Sequence, residues 1–165
     1  MDENPMIQMV DVSGKEVTRR YARAIAIIRM DKETIRKIKE KRIPKGDPIA
    51  AAEIAGYLAV KKTPDLIPLC HPIPISGAHI KCQINDEEQT VKITVEVSCE
   101  AKTGAEMEAL LGAAIAALTI YDMCKGLDPA MIISEIRLEE KFGGRSGHWV
   151  HPRSEKSPAP KPPLS

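Results

Sequence analysis

Aromatic side chains are almost missing: one Phe, one Trp and three Tyr in 165 residues. Proteins that hold single-stranded nucleic acid stack its bases on such rings, so that class is disfavoured from the start. An excess of one charge is missing too, with 24 Lys and Arg against 23 Asp and Glu. No overall field therefore draws the chain to nucleic acid or to an anionic membrane, and any anion site must come from a local cluster. No apolar run approaches the ~20 residues of a membrane span. The N-terminal MDENPMIQMV carries two acids and lacks the basic-then-apolar order of a secretion signal. Cys70, Cys82, Cys99 and Cys124 are scattered without a C-x-x-C pair, which fits reduced thiols in a cytoplasmic protein.

What is present is patterning, in a chain long enough for one domain with its own core. Residues 1–8 are polar and expected to be loose. Ala24, Ala26 and Ile28 alternate with Ile25, Ile27 and Arg29, which predicts a strand over about 22–30. Asp31 is placed to cap a helix through KETIRKIKEK, with an acid early and lysines late, as the helix dipole prefers. Asp47-Pro48 reads as N-cap and first helical residue of PIAAAEIAGYLAVKK, expected to stop at Thr63-Pro64. HIKCQIN and TVKITVEVSCE alternate with period two around the turn NDEEQ, giving a hairpin with one dry face.

TGAEMEALLGAAIAALTIYDMCK reads as a long helix. Its seam of Leu110, Leu111, Ala114, Ile115, Leu118 and Tyr121 is expected to face a sheet. The small Gly112, Ala113, Ala116 and Ala117 would admit a second helix. MIISEIRLEEK is a last strand and FGGRSG its stop, followed by a Pro/Ser/Lys-rich tail, 148–165, expected to be flexible. With one helix inserted, the order is a ferredoxin-like βαββαβ: a single α+β domain over 9–147, its antiparallel sheet covered by helices on one face.

Residues 67–73, IPLCHPI, set Cys70 beside His71 between two prolines that hold the stretch extended. A structural zinc site would recruit His79 and Cys82. Residues three apart in a strand face opposite sides, however, and such sites favour Cys pairs two to four apart. A Cys nucleophile with His as its base fails on adjacency, because neighbours in an extended chain diverge. Two readings stand: a packed Cys beside a polar His, or His71 as a ligand contact or proton-transfer group in a stiffened pocket wall.

On the long helix, Thr103-x-x-Glu106 has the form of a capping box, while Glu108 points elsewhere. Asp122 and Lys125 are neighbours on one face, where a solvated ion pair is the plain alternative. Glu108 and Asp122 are fourteen positions apart, about 21 Å along a helix. They cannot serve one small-molecule site within one chain, but two copies with antiparallel long helices could bring them together. Lys45 stands in the loop IPKGDP beside Gly46, either as a surface charge or as a ligand cation. Arg19, Arg20 and Arg23 offer forks suited to phosphate. In KFGGRSG the glycines can turn N–H groups toward an anion, with Lys141 and Arg145 adding charge.

In order along the chain, MVDVSGK, KGDP, DLIPLCHPIPIS, KTGAEMEAL, AALTIYDMCK and IRLEEKFGGRSG resemble the molybdenum cofactor biosynthesis protein C (MoaC) family over about residues 9–147. That family comprises the cyclic pyranopterin monophosphate synthases. The resemblance implies a ferredoxin-like fold, a dimer built on the long helix, and a homohexamer of three dimers with active sites at the subunit interface. It implies a lyase of molybdenum cofactor (molybdopterin) biosynthesis that takes 3′,8-cyclo-7,8-dihydro-GTP from a radical enzyme. The products are cyclic pyranopterin monophosphate and pyrophosphate. No cofactor is implied as required, and a divalent ion (Mg) on the triphosphate is left open.

By similarity, Asp122, Lys125 and Lys45 match the family's catalytic residues. Lys45 and Lys125 suit an acid/base pair, with Asp122 orienting Lys125. Leu69, Cys70, His71, Met107 and Glu108 match substrate-binding stretches, and Glu106, Arg20 and Lys141 match further pocket residues. One departure is visible: KFGGRSG stands where KSGGKSG is common, so Phe142 replaces a hydroxyl while Arg145 keeps the charge. The rival class, a non-catalytic nucleotide-binding domain of the same fold, would not need Asp122-Lys125 and Glu106-Glu108 together.

Overall fold

The computed structural model describes residues 5–145 and 147–154. Strand β1 (Thr18–Arg29) leads into helices α1 (Lys32–Lys39) and α2 (Pro48–Leu66). The hairpin β2 (Ile75–Asn85) and β3 (Thr90–Ala101) follows, then α3 (Glu106–Cys124), β4 (Ile132–Phe142) and β5 (His148–Val150). The strands make one antiparallel sheet in the order β2-β3-β1-β4-β5. That is the expected ferredoxin-like α+β arrangement with a short strand added at one edge.

Alternation puts Ala22, Ala24, Ala26 and Ile28 of β1 on the helix side, beside Val91, Ile93, Val95, Val97 and Cys99 of β3. All are buried. Three alanines on the central strand let α3 sit close, and α3 answers with buried Ala109, Ala113, Ala116 and Ala117. Its other flank meets α2 at two glycines. A Cβ on Gly112 would fall 2.9 Å from Val60 Cγ2, and one on Gly56 would fall 3.4 Å from the Gly112 carbonyl oxygen. The helix backbones could not approach this closely with larger residues at the crossing.

This corrects the seam expected from the large side chains. Leu110 and Tyr121 are half-buried against the core as expected, but Leu111, Ala114 and Ile115 are half-buried without joining it and Leu118 is exposed. The helix is apolar on both flanks, so size decides which flank meets the sheet. By length and composition alone α3 passes for a membrane-spanning helix; its small-residue flank packs on the sheet and α2.

Three further differences have local causes. β1 begins at Thr18, so Arg20 lies inside the sheet rather than ahead of it. α2 continues two residues past Pro64. The missing donor falls in the last turn, where Thr63 Oγ1 donates to Ala59 O (2.8 Å) and the Ile67 N–H closes on Thr63 O (2.9 Å). The tail starts later than its composition suggests, since His148–Val150 pair with β4. Beyond them the His151 N–H donates to Glu139 O (2.8 Å) and Ser154 Oγ to Glu139 Oε2 (2.6 Å). Residues 5–10 are exposed and without regular structure. Residues 1–4 of the N-terminus and 155–165 of the tail lie outside the described residues.

Candidate active site

At the C-terminal end of α3, a loop from α1 to α2 brings Lys45 into place. Ile43 anchors that loop in the core. Gly46, at φ +118, donates to Ile43 O (3.0 Å) and passes over Met123. Asp47 then caps α2, its Oδ1 accepting from the N–H groups of Ile49 (3.0 Å) and Ala50 (3.3 Å). Held between these anchors, Lys45 Nζ donates to Asp122 Oδ2 (3.2 Å) and Asp122 O (3.1 Å). Lys125 Nζ lies 3.3 Å from Asp122 Oδ1. One carboxylate therefore bridges two ammonium groups in the open. Hydrogen bonds from Lys45 and then Lys125 hold the Asp122 carboxyl below the usual value.

The N-terminal end of α3 is a different environment. Glu108 is 1% exposed, and its Oε2 has no hydrogen-bond partner among the described residues. Cys70 Sγ stands 3.7 Å from its Oε1. Burial pushes the Glu108 carboxyl up, toward the neutral acid. Burial, and then the Glu108 charge, push the Cys70 thiol up to about 11. A thiol so raised is a weaker nucleophile at neutral pH. Half-buried His71 and exposed Leu69 and Met107 stand beside these two residues in the chain.

The capping box at the start of α3 is not formed. Ala105 occupies the N-cap position and no side chain caps the helix. Glu106 folds back over Gly104 and pairs with Lys141 at 3.6 Å. Arg20 reaches across from β1, its Nε donating to Ala101 O (3.1 Å) and Nη2 to Lys102 O (3.2 Å). Burial first, then Glu108, raise the Cys99 thiol to about 11, while Arg20 acts the opposite way. Arg20, Glu106, Glu108, Cys70 and Lys141 therefore share one neighbourhood.

Two neighbours of this cluster were not legible as such. Lys102 Nζ donates to Ser13 O (3.4 Å). The Asp11 carboxyl is held below its usual value by hydrogen bonds from Ser13, with smaller contributions from His71 and Lys102. The N-terminal MVDVSGK segment thus lies along the His71 side of the cluster. Its motif was readable, but its position depends on a contact spanning 89 residues.

Among the described residues, no group of three or more His, Cys, Asp or Glu is arranged to hold a metal ion. Two surface concavities, of about 480 and 240 Å³, lie at the β2–β3 tip and between α2 and β2. Neither includes a candidate residue.

The MoaC family profile matches residues 9–144. The chain is 48% identical over 149 residues to the cyclic pyranopterin monophosphate synthase of Heliobacterium modesticaldum, covering 90% of this chain and 94% of that protein. It is 47% identical over 156 residues to the enzyme of the same name from Desulfitobacterium hafniense, covering 94% and 95%. Against the Brevibacillus brevis protein of that name it is 49% identical over 148 residues, covering 90% and 92%. With the family profile spanning nearly the whole described fold and relatives this similar end to end, the chain belongs to the MoaC family.

Proposed function

We propose that this chain is a cyclic pyranopterin monophosphate synthase, a lyase of molybdenum cofactor biosynthesis. Its substrate would be 3′,8-cyclo-7,8-dihydro-GTP and its products cyclic pyranopterin monophosphate and pyrophosphate. The observation that carries this reading is Asp122 bridging Lys45 and Lys125, the first contact spanning 77 residues. Ring opening and reclosure need protons moved at carbon, nitrogen and oxygen, and two lysines held by one carboxylate are suited to give and take them. Forming the cyclic phosphate requires a sugar-derived hydroxyl to attack the α-phosphorus while its proton passes to a base. The bond to the β-phosphate breaks and pyrophosphate leaves. Arg20, Lys141 and His71 are of a type suited to hold the negative charge that develops. The chemistry calls for no bound cofactor, and a Mg ion would arrive on the triphosphate as part of the substrate.

The site is shared between subunits in this reading. α3 is 19 residues long, about 28 Å, and separates the Lys45–Asp122–Lys125 end from the Glu108 end. A second copy packed antiparallel would join one end of its α3 to the opposite end of this one, and three such dimers would make a hexamer. Exposed Ile54, Leu58 and Leu118 on α2 and α3 support a partner on that surface. A cytoplasmic location accords with free cysteines throughout.

Incubation of the protein with the cyclic GTP intermediate tests the reaction. Pyrophosphate together with a fluorescent oxidised pterin is expected. Pyrophosphate without pterin would make the protein a plain nucleotide pyrophosphatase, and neither product would end the proposal.

A further inference from the structure

The outer face of the sheet, opposite the helices, carries a cluster that the reaction above does not use. Glu140 is 2% exposed there, with Arg23 Nη2 at 2.7 Å from its Oε2 and His148 Nε2 at 2.9 Å from its Oε1. With a carboxylate as acceptor, the His148 ring nitrogen is the donor. The His148 ring also stacks on Phe142, centroids 4.4 Å apart and planes 19° apart, and Phe142 leans on Tyr21 at 5.5 Å. Phe142 and His148 are direct cross-strand partners in β4 and β5, a position where such ring pairs stabilise a ladder.

The cluster brackets a turn that touches the pocket. Between Phe142 and His148 the chain reverses through Gly143 (φ +96), Gly144 (φ +71) and Gly147 (φ +61). The Gly143 N–H donates to Gly147 O at 3.1 Å. A Cβ on Gly143 would fall 2.2 Å from Arg19 O, and one on Gly144 would fall 2.4 Å from Arg20 Nη1. The turn therefore lies directly on the Arg20 guanidinium. Successive strand residues also face opposite ways. Glu140 and Phe142 are held on the outer face, which aims Lys141 between them at Glu106 on the helix side.

We infer that His148 is a positioning residue: bonded to buried Glu140 and stacked on Phe142, it fixes the glycine turn and, through it, Arg20 and Lys141 against the substrate's phosphates. The Phe142 that departs from the family's common sequence is then half of a ring pair that His148 completes. This rests on the proposed triphosphate substrate, and it assigns the cluster to substrate holding rather than to the chemical step. Glu140 itself is a poor probe, because removing one partner of a buried ion pair leaves an uncompensated charge.

The test uses the full chain with His148→Ala, His148→Gln and Phe142→Ser, measuring pyrophosphate binding by calorimetry and kinetics with the cyclic GTP intermediate. Calorimetry needs no turnover. His148→Ala is expected to raise KM and weaken pyrophosphate binding about tenfold, with kcat within about twofold of wild type. His148→Gln keeps a donor for Glu140 and should recover most of that loss. Phe142→Ser should fall between the two. Unchanged pyrophosphate binding in His148→Ala overturns the inference, as does a fall in kcat at constant KM. If wild type makes no pterin yet the binding pattern holds, the reaction assignment fails while the clamp stands.

Discussion

The two ends of α3 carry carboxylates in opposite circumstances. Asp122 is exposed, bridges two ammonium groups and is held below the usual carboxylate value. Glu108 is buried, has one oxygen without a partner among the described residues and is pushed toward the neutral acid. One helix thus presents one acid whose proton affinity is lowered and another whose proton affinity is raised. Acidic groups whose surroundings drive them apart in this way are suited to different tasks within one reaction. The difference comes from what each end meets. The C-terminal end receives a lysine-bearing loop, whereas the N-terminal end meets Cys70, which a turn rather than an extended stretch delivers, its N–H donating to Ile67 O (3.1 Å).

The comparison can be broken most severely at the charged end. Lys45→Ala or Lys125→Ala is expected to lower kcat by about 10²–10⁴. Both side chains are more than half exposed, so the melting temperature should move by less than about 1 °C. Loss of activity through unfolding instead would show that the bridge is structural.

Next in size is a mixing experiment that asks whether the two ends belong to one site. Asp122→Asn and Glu108→Gln proteins, each impaired alone, are refolded together. Random pairing makes half the dimers mixed, each with one intact site of two, so about a quarter of wild-type activity should return. No recovery would place both ends in separate sites.

A smaller effect concerns the buried acid. Because the folded-state pKa of Glu108 is raised above its ordinary value of 4.5, its share of stability is fully present below about pH 4.5. That share is lost as pH rises through the folded value. Glu108→Gln should therefore melt with wild type near pH 4 and a few degrees above it at alkaline pH. Parallel melting curves across that range would mean the carboxyl is not held neutral. The least effect is expected from Thr103→Ala, since no cap is formed there. Its melting shift should stay under about 1 °C, while Asp47→Ala, which removes a real cap, should cost about 1 kcal/mol.

The strands were legible because β3 alternates along its whole length and β1 over most of its own, and Asp31 and Asp47 announce their helices. The flank of α3 that meets the sheet was not legible, because Leu111, Ile115 and Leu118 are as apolar as the alanines that displaced them. Periodicity reports apolarity, while the closeness of β1 selects for smallness. The Thr103–Glu106 pattern failed for another reason: Lys141, 35 positions away in the sequence, offers Glu106 a charged partner. Resemblance named Lys45, Asp122 and Lys125 together, yet that Asp122 grips both lysines depends on a loop folding back over Met123. The Phe142–His148 pair was invisible because composition had assigned His148 to the tail.

α3 runs unbroken over 19 residues between the two clusters. Inserting a single residue between Glu108 and Asp122 would lengthen the strut by only about 1.5 Å, but would rotate one end against the other by about 100°. The helix therefore sets phase as well as spacing. Even one added or deleted codon in this stretch should silence the protein, while the loop between α1 and α2 has only to deliver Lys45.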